Sequence, residues 1–460
     1  MKTLVFFLLI AALGAQSTFP GLTFHQAPRP LSKDAVTAEW PRFFGPADNC
    51  TTPEGPLLKD LSKMTPVFEL ARGDSYASPI LAEGKLLHFH TVDSKETLDC
   101  HHPETGQRFW TFSYPIKYRD RYGFGNGPRS SPIIKDGRIY LIGVTAMLHC
   151  LNLKSGEILW KRDLMSDYNI PQYFFGYGPN PLVYDNKLII NVGGRSEDGL
   201  GVCAAGLDIK TGKTLWTHED SWGASYASPI ITKLHGKPVV AMLAAGESRP
   251  THGGLLILDP HSGKLYSRFP WRAKVYESVL ASTPLALPGN KIFISDCYEK
   301  GGVLLKFDEN LQPSPIWTER WFGMHMMTPQ LIDGHLYGFA GRNTPDTQLK
   351  GINLISGKIS WENDMRWEKD GRTQSLFRGS FLKTPKRVFA LGEDGCLSEL
   401  ELNPQEAKTL QRNRLFTARE TWTPPALHQG LLYVAQNSKG MDGSSQRLIC
   451  YDLRPMQPRE

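Results

Sequence analysis

Six loops of this 460-residue chain carry the side chains best suited to binding chemistry. They read YGFGNGPR (Tyr122 to Arg129), YFFGYGPN (Tyr173 to Asn180), WGASY (Trp222 to Tyr226), VYES (Val275 to Ser278), WFGMHMM (Trp321 to Met327) and SLFR (Ser375 to Arg378). Aromatic rings beside glycines supply contact area, and isolated charges among them supply orientation. Arg129, Tyr177, Tyr226, Glu277, His325 and Arg378 therefore form the candidate ligand-binding set, suited to a peptide, a strand or a sugar. The same rings could instead pack one structural unit against the next, and the sequence leaves both readings open. Arg129, Glu277, His325 and Arg378 are the harder ones to explain by packing.

Catalysis asks for more than this. A general base must sit beside a nucleophile or cofactor, and no such pair is assembled by sequence spacing, so no catalytic residue is assigned. The seven cysteines (Cys50, Cys100, Cys150, Cys203, Cys297, Cys396, Cys450) form no CxxC, CxxCH or adjacent pair, which removes haem attachment and zinc fingers. Cys100, Cys150 and Cys450 share one register position in different repeats, too far apart for a disulfide, and are expected as buried apolar fillers. His101-His102 falls in an expected turn and reads as exposed, so no metal ligand is assigned. The net charge is +6 with no Lys/Arg run of five, a mixed surface without a nucleic-acid signature.

The loops belong to a repeat. A motif of the form Ser-Pro-apolar opens a short strand at Ala77-Ser78-Pro79-Ile80, Ser130-Ser131-Pro132-Ile133 and Ala227-Ser228-Pro229-Ile230. Looser copies begin at Pro179, Ser282, Met327, Gly379 and Trp422, so eight copies recur at steps of 43–55 residues. Each copy continues through a hairpin, often with a DG or DN turn such as Asp136-Gly137, into a second strand. A third strand ends in an Asp/Asn-x-x-Ser/Thr-Gly turn, and a fourth carries Trp: Asn152…Gly156…Trp160, Asp208…Gly212…Trp216, Asn353…Gly357…Trp361 and, less completely, Gly106…Trp110. Trp110, Trp160, Trp216 and Trp361 are expected to be largely buried, docking one sheet on the next.

One four-stranded sheet cannot bury both of its faces, whereas copies stacked in a ring can. The fold class expected is all-β: an eight-bladed β-propeller of four-stranded antiparallel blades. The last repeat lacks its fourth strand, and Pro66-Val67-Phe68-Glu69-Leu70 is expected to supply it, closing the ring non-covalently.

Residues 1–17 read as a secretory signal peptide, with Lys2, an apolar Leu4–Leu13 run and the small-residue end Leu13-Gly14-Ala15. Cleavage after Ala15 would leave Gln16 first rather than the cysteine of a lipoprotein. No later stretch approaches the ~20 apolar residues of a membrane helix. The expected organisation is a signal peptide (1–17), an N-terminal extension (18–64), one propeller domain (65–455) and a short tail (456–460), giving a soluble periplasmic or secreted protein.

Several of these motifs resemble a known family. Trp40-Pro41-Arg42-Phe43-Phe44-Gly45-Pro46, Gly127-Pro128-Arg129-Ser130 and Leu448-Ile449-Cys450-Tyr451-Asp452, with the docking tryptophans, are similar to exported pyrroloquinoline quinone (PQQ)-like propeller proteins akin to the outer-membrane assembly factor of the Bam complex. The resemblance spans roughly residues 40–455. It implies the propeller fold, but the group mostly lacks a proven reaction. A PQQ dehydrogenase would need a quinone site, Ca²⁺ with oxygen ligands, a carboxylate base and, in alcohol dehydrogenases of this kind, adjacent cysteines. The functional expectation is a non-catalytic binding or scaffold protein of the cell envelope, without a cofactor, holding a protein or extended polymer at the axial funnel. The alternative is an enzyme, either a quinoprotein oxidoreductase using PQQ and Ca²⁺ or one acting on a saccharide.

Overall fold

A computed structural model describes residues 21–194, 200–246, 251–369 and 371–456; the signal peptide expected at 1–17 lies outside them. The strands assemble into eight antiparallel blades. Blade one comprises Ile80–Ala82, Lys85–Val92, Lys95–His101 and Arg108–Pro115, and blade two Ile133–Lys135, Arg138–Ile142, Met147–Asn152 and Ile158–Asp163. Blades three to seven open with Leu182–Tyr184, Ile230–Leu234, Leu285–Leu287, Gln330–Ile332 and Ser380–Lys383. Blade eight combines Ala426–His428, Leu431–Gln436 and Arg447–Asp452 with Thr65–Ala71 from the other end of the chain.

Burial explains the hydropathy of these segments. In blade one the first strand is wholly buried and the second nearly so, whereas the outermost, Arg108–Pro115, alternates between half-buried and exposed along its length. Inner strands covered on both faces need continuous apolar runs; an outer strand needs only one.

Two devices hold blade to blade. In the first, the outer tryptophan of one blade lies flat on the turn of the next: Trp110 meets Gly156, Trp160 meets Gly212 and Trp216 meets Gly263. A Cβ at Gly156 would come within 2.6 Å of the Trp110 ring, so a bare glycine is required there. The indole N–H groups of Trp110, Trp160 and Trp361 donate to Leu153 O, Ile209 O and Asn403 O at 3.0, 3.3 and 2.9 Å. Trp317, which the motif missed, does the same to Leu354 O at 2.9 Å. Trp216 is buried, but Trp110, Trp160 and Trp361 are only half-buried, because their outer ring edges lie at the rim.

The second device uses the Ser-Pro motif. Its middle residue donates its backbone N–H to the side-chain oxygen of the equivalent residue in the next blade: Ser78 to Ser131, Ser131 to Asn180, Asn180 to Ser228 and Ser228 to Thr283, at 2.8, 2.6, 3.1 and 3.1 Å. These buried N–H groups cannot join a sheet ladder at the axis, so the neighbouring hydroxyl or amide must satisfy them.

The ring closes as the sequence implies. Thr65–Ala71 pairs with Arg447–Asp452, placing Phe68 opposite Cys450, as Trp110 faces Cys100 and Trp160 faces Cys150. Phe68 thus takes the docking position against Gly106. A further strand, Leu22–Phe24, covers the outer edge of Thr65–Ala71. The remainder of the extension crosses one end of the ring axis: Trp40 bridges Leu81, Thr51 bridges Lys383, and Ala38 O accepts from His428 at 2.8 Å. All seven cysteines are free thiols, and Cys100, Cys150 and Cys450 are fully buried. Among the described residues no helix is long and apolar enough to cross a membrane.

Candidate functional site

The connections that precede the first strands converge, with loops between second and third strands, on an axial cavity of about 500 Å³. Phe43, from the extension, lines it, so the extension occupies the end of the channel away from the mouth.

One wall is aromatic. Trp422 packs on Tyr76 at 5.5 Å and on Phe124 at 5.7 Å; Phe124 meets Phe175 at 5.7 Å, and Phe175 meets Tyr226 at 5.7 Å. Asp120 holds the loop that carries Tyr122 and Phe124, accepting their backbone N–H groups at 2.9 and 3.1 Å. Tyr226 Oη fixes the next loop by accepting from Phe175 N–H at 2.9 Å. Asp296 anchors the VYES loop from beneath, through Ala273 N–H at 2.9 Å and Ser278 Oγ–H at 2.7 Å.

The structure brings five of the six candidate residues to this cavity: Arg129, Tyr226, Glu277, His325 and Arg378. Tyr177 is the exception. Its ring is buried between blades two and three and its hydroxyl donates to Asn191 O at 2.9 Å. Within YFFGYGPN it is Phe174 and Phe175 that face the cavity, because the turn at Gly176 sends Tyr177 into the core.

Two of the arginines are already paired. Arg129 Nη2 lies 2.9 Å from Asp120 Oδ2, and Arg378 grips Glu393 with two guanidinium nitrogens while lying 4.6 Å over Trp422. Removing either would strand a buried carboxylate, so both shape the wall as well as face the cavity. Glu277 is exposed at the rim. His325 is half-buried, edge-on to Tyr298 at 5.8 Å, and its Nδ1 is buried without a partner. Burial first, then the positive charges of Arg378 and Arg342, push its pKa down to about 3, so it is neutral at physiological pH.

Sequence reasoning missed Tyr76, Tyr298, Arg342 and Trp422, which also line the cavity. Trp422 opens one of the recognised motif copies, and Tyr76 immediately precedes another, Ala77-Ser78-Pro79-Ile80. Tyr298 and Arg342 follow second strands, and such loops lie on the same ring face as those preceding first strands.

A second cluster lies in blade one. His88, His90 and Asp99 are buried, with potential ligand atoms within 4.8 Å of one another. His90 Nδ1 accepts from Gly73 N–H at 2.9 Å, so its Nε2 carries the proton and donates to Asp99 at 3.1 Å. That commits both nitrogens of His90 to hydrogen bonds and leaves Nε2 without a lone pair for a metal. His101, expected to be exposed, is buried instead and bonds Gly106 O at 2.8 Å, because its strand runs one residue further than the turn signal suggested.

Comparison with known proteins places this geometry in a family. The family model described as outer membrane protein assembly factor BamB matches residues 94–363, more than half of the chain. The chain belongs to that family. Among solved structures it is similar to BamB from Moraxella catarrhalis, with a TM-score of 0.55 and 15% identity over 86% of this chain and 99% of that one. It is also similar to the quinohemoprotein alcohol dehydrogenase from Comamonas testosteroni, with a TM-score of 0.63 and 13% identity over 92% of this chain and 81% of that one. The Dos1 propeller matches with a TM-score of 0.52 and 13% identity over 86% of this chain and 98% of that one. Identities this low establish the propeller fold of this BamB-family chain and leave its chemistry to its own residues. No curated protein sequence matches it.

Proposed function

We propose that this BamB-family propeller is a non-catalytic binding protein of the cell envelope, holding a protein or extended polymer at the mouth of its axial cavity. The observation that carries this reading is the make-up of the cavity wall. Residues from widely separated repeats converge there as an aromatic surface with few, mostly paired charges, which suits contact and orientation rather than bond-making. The family description, an outer-membrane assembly factor, supports an envelope location and a protein partner.

The quinoprotein alternative draws on the likeness to the Comamonas dehydrogenase. Ca²⁺ takes six to eight oxygen ligands, commonly several carboxylates. Among the described residues the cavity wall offers one carboxylate, Glu277, and the Asn180 amide is already committed to Ser131 N–H and Ser228 Oγ at 2.6 and 2.7 Å. The residues present do not fit a PQQ–Ca²⁺ site.

The test pairs two measurements. Purified protein incubated with PQQ and Ca²⁺ is expected to show neither a bound-quinone absorption band nor dye-linked alcohol oxidation. Partner capture from envelope fractions is expected in the wild type and not in Ala281→Trp, whose indole would project from the wall and obstruct the cavity. Stoichiometric quinone binding with turnover, or capture undiminished in the blocked variant, would overturn the reading.

A further inference from the structure

We infer that the axial cavity accepts a single carboxylate joined to an apolar or aromatic body, with Arg342 receiving the carboxylate and the Phe124–Phe175–Tyr226 wall receiving the body. This rests on the reading of the cavity as the protein's binding site and adds the chemistry of what enters.

The charges single out Arg342. Three guanidinium groups line the cavity, and Arg129 and Arg378 are each neutralised by a buried carboxylate, Asp120 and Glu393. Arg342 is exposed and has no carboxylate partner among the described residues. Its guanidinium lies 4.3 Å over the Tyr298 ring and also within hydrogen-bonding reach of the Tyr298 hydroxyl, contacts that orient the plane while leaving most of its five N–H donors to a ligand. The neighbouring His325 reports the field at this place, since Arg378 and Arg342 add to burial in keeping its ring neutral. A planar, oriented guanidinium with free donors is matched geometrically by a carboxylate.

The cavity shape sets the rest. At about 500 Å³, with Phe43 lining the end occupied by the extension, it is a blind pocket rather than an open channel. Pockets of roughly 300–1,000 Å³ hold small molecules, so a strand cannot thread through, whereas a small acid or the last residue of a chain can enter. Phe124, Phe174, Phe175, Tyr226 and Val279 offer that body an apolar lining. Glu277, exposed at the rim and without an ion-pair partner among the described residues, disfavours additional negative groups, so the ligand is a monocarboxylate rather than a polyanion.

A free aromatic acid and a chain ending in an aromatic residue present the same chemistry, and defined probes separate them. Phenylpropanoate, the tripeptide Gly-Gly-Phe and its C-terminal amide are titrated calorimetrically into wild-type protein, Arg342→Gln, Arg342→Lys and Ala281→Trp. The acids are expected to bind and the amide to bind at least about tenfold more weakly, the scale of one charge-assisted hydrogen bond. Arg342→Gln should bring the acids to the level of the amide, Arg342→Lys should recover part of the loss, and Ala281→Trp should bind none of the three. Tighter binding of the tripeptide than of phenylpropanoate identifies a chain end as the ligand, and the reverse identifies a free acid. Equal binding of acid and amide, unchanged acid binding in a folded Arg342→Gln protein, or no binding of either acid at millimolar concentration would overturn the inference. If it falls while Ala281→Trp still blocks partner capture, the cavity remains the binding site and only the ligand chemistry is wrong; if capture survives that block, the site itself is wrong.

Discussion

Ser131 Oγ accepts the backbone N–H of Ser78 across the boundary between blades one and two, at 2.8 Å. The same contact recurs to Asn180, Ser228 and Thr283, which is why the repeat keeps a small polar residue before its proline. Ser131→Ala should leave a buried donor unsatisfied and cost about 1–3 kcal/mol in a urea denaturation series. A loss within error of zero would mean that water reaches this seam and that the relay is not structural.

Trp160 tests the outer docking device. It packs on Gly212 and donates to Ile209 O at 3.3 Å, so Trp160→Ala should cost about 3 kcal/mol, read as a fall in thermal midpoint. Gly212→Ala should destabilise as well, because the new methyl would meet the Trp160 ring and because the backbone there has a φ of +72°. A Gly212→Ala protein as stable as the wild type would contradict flat docking.

Ring closure depends on Thr65–Ala71. Deleting residues 18–72 should expose the edge of Arg447–Asp452, remove the extension that lies across the axis and give an aggregating product on size exclusion. A monomeric truncation with an unchanged melting temperature would contradict closure by this strand.

Much of this architecture was legible in sequence, and the reasons are physical. Period, turn chemistry and alternation are local, so the blade count and the closing strand followed from spacing alone. Tyr177 and Arg342 show where locality ends. Whether a loop tyrosine faces a cavity or a core depends on one glycine turn, and Arg342 joins the cavity through strand order around the ring, not through any motif. Trp317 was missed because its blade turns through Asp308–Leu311 without the usual glycine, though the indole docks all the same.

Acid should weaken the fold through His149. Burial, and secondarily Lys161, hold its pKa down to about 4 from the ordinary 6.5, against Phe112 and Tyr114. The unfolded chain therefore takes up a proton that the folded chain refuses. Its contribution to stability is complete above pH 6.5 and is lost as the pH falls from there towards 4, by up to about 3 kcal/mol. The difference in unfolding free energy between wild type and His149→Phe should change by that order across this window; parallel curves would contradict a neutral buried imidazole.

Binding at the cavity mouth can be tested directly by crosslinking. A photo-crosslinking amino acid placed at Tyr122, 55% exposed beside the cavity, is compared in intact cells with one at Ile355, 83% exposed on a turn at the other face of the ring. A discrete adduct is expected from position 122, lost when Ala281→Trp obstructs the cavity, and none from position 355. An adduct at 122 that persists in the obstructed variant, or equal capture at 355, would contradict binding at the mouth.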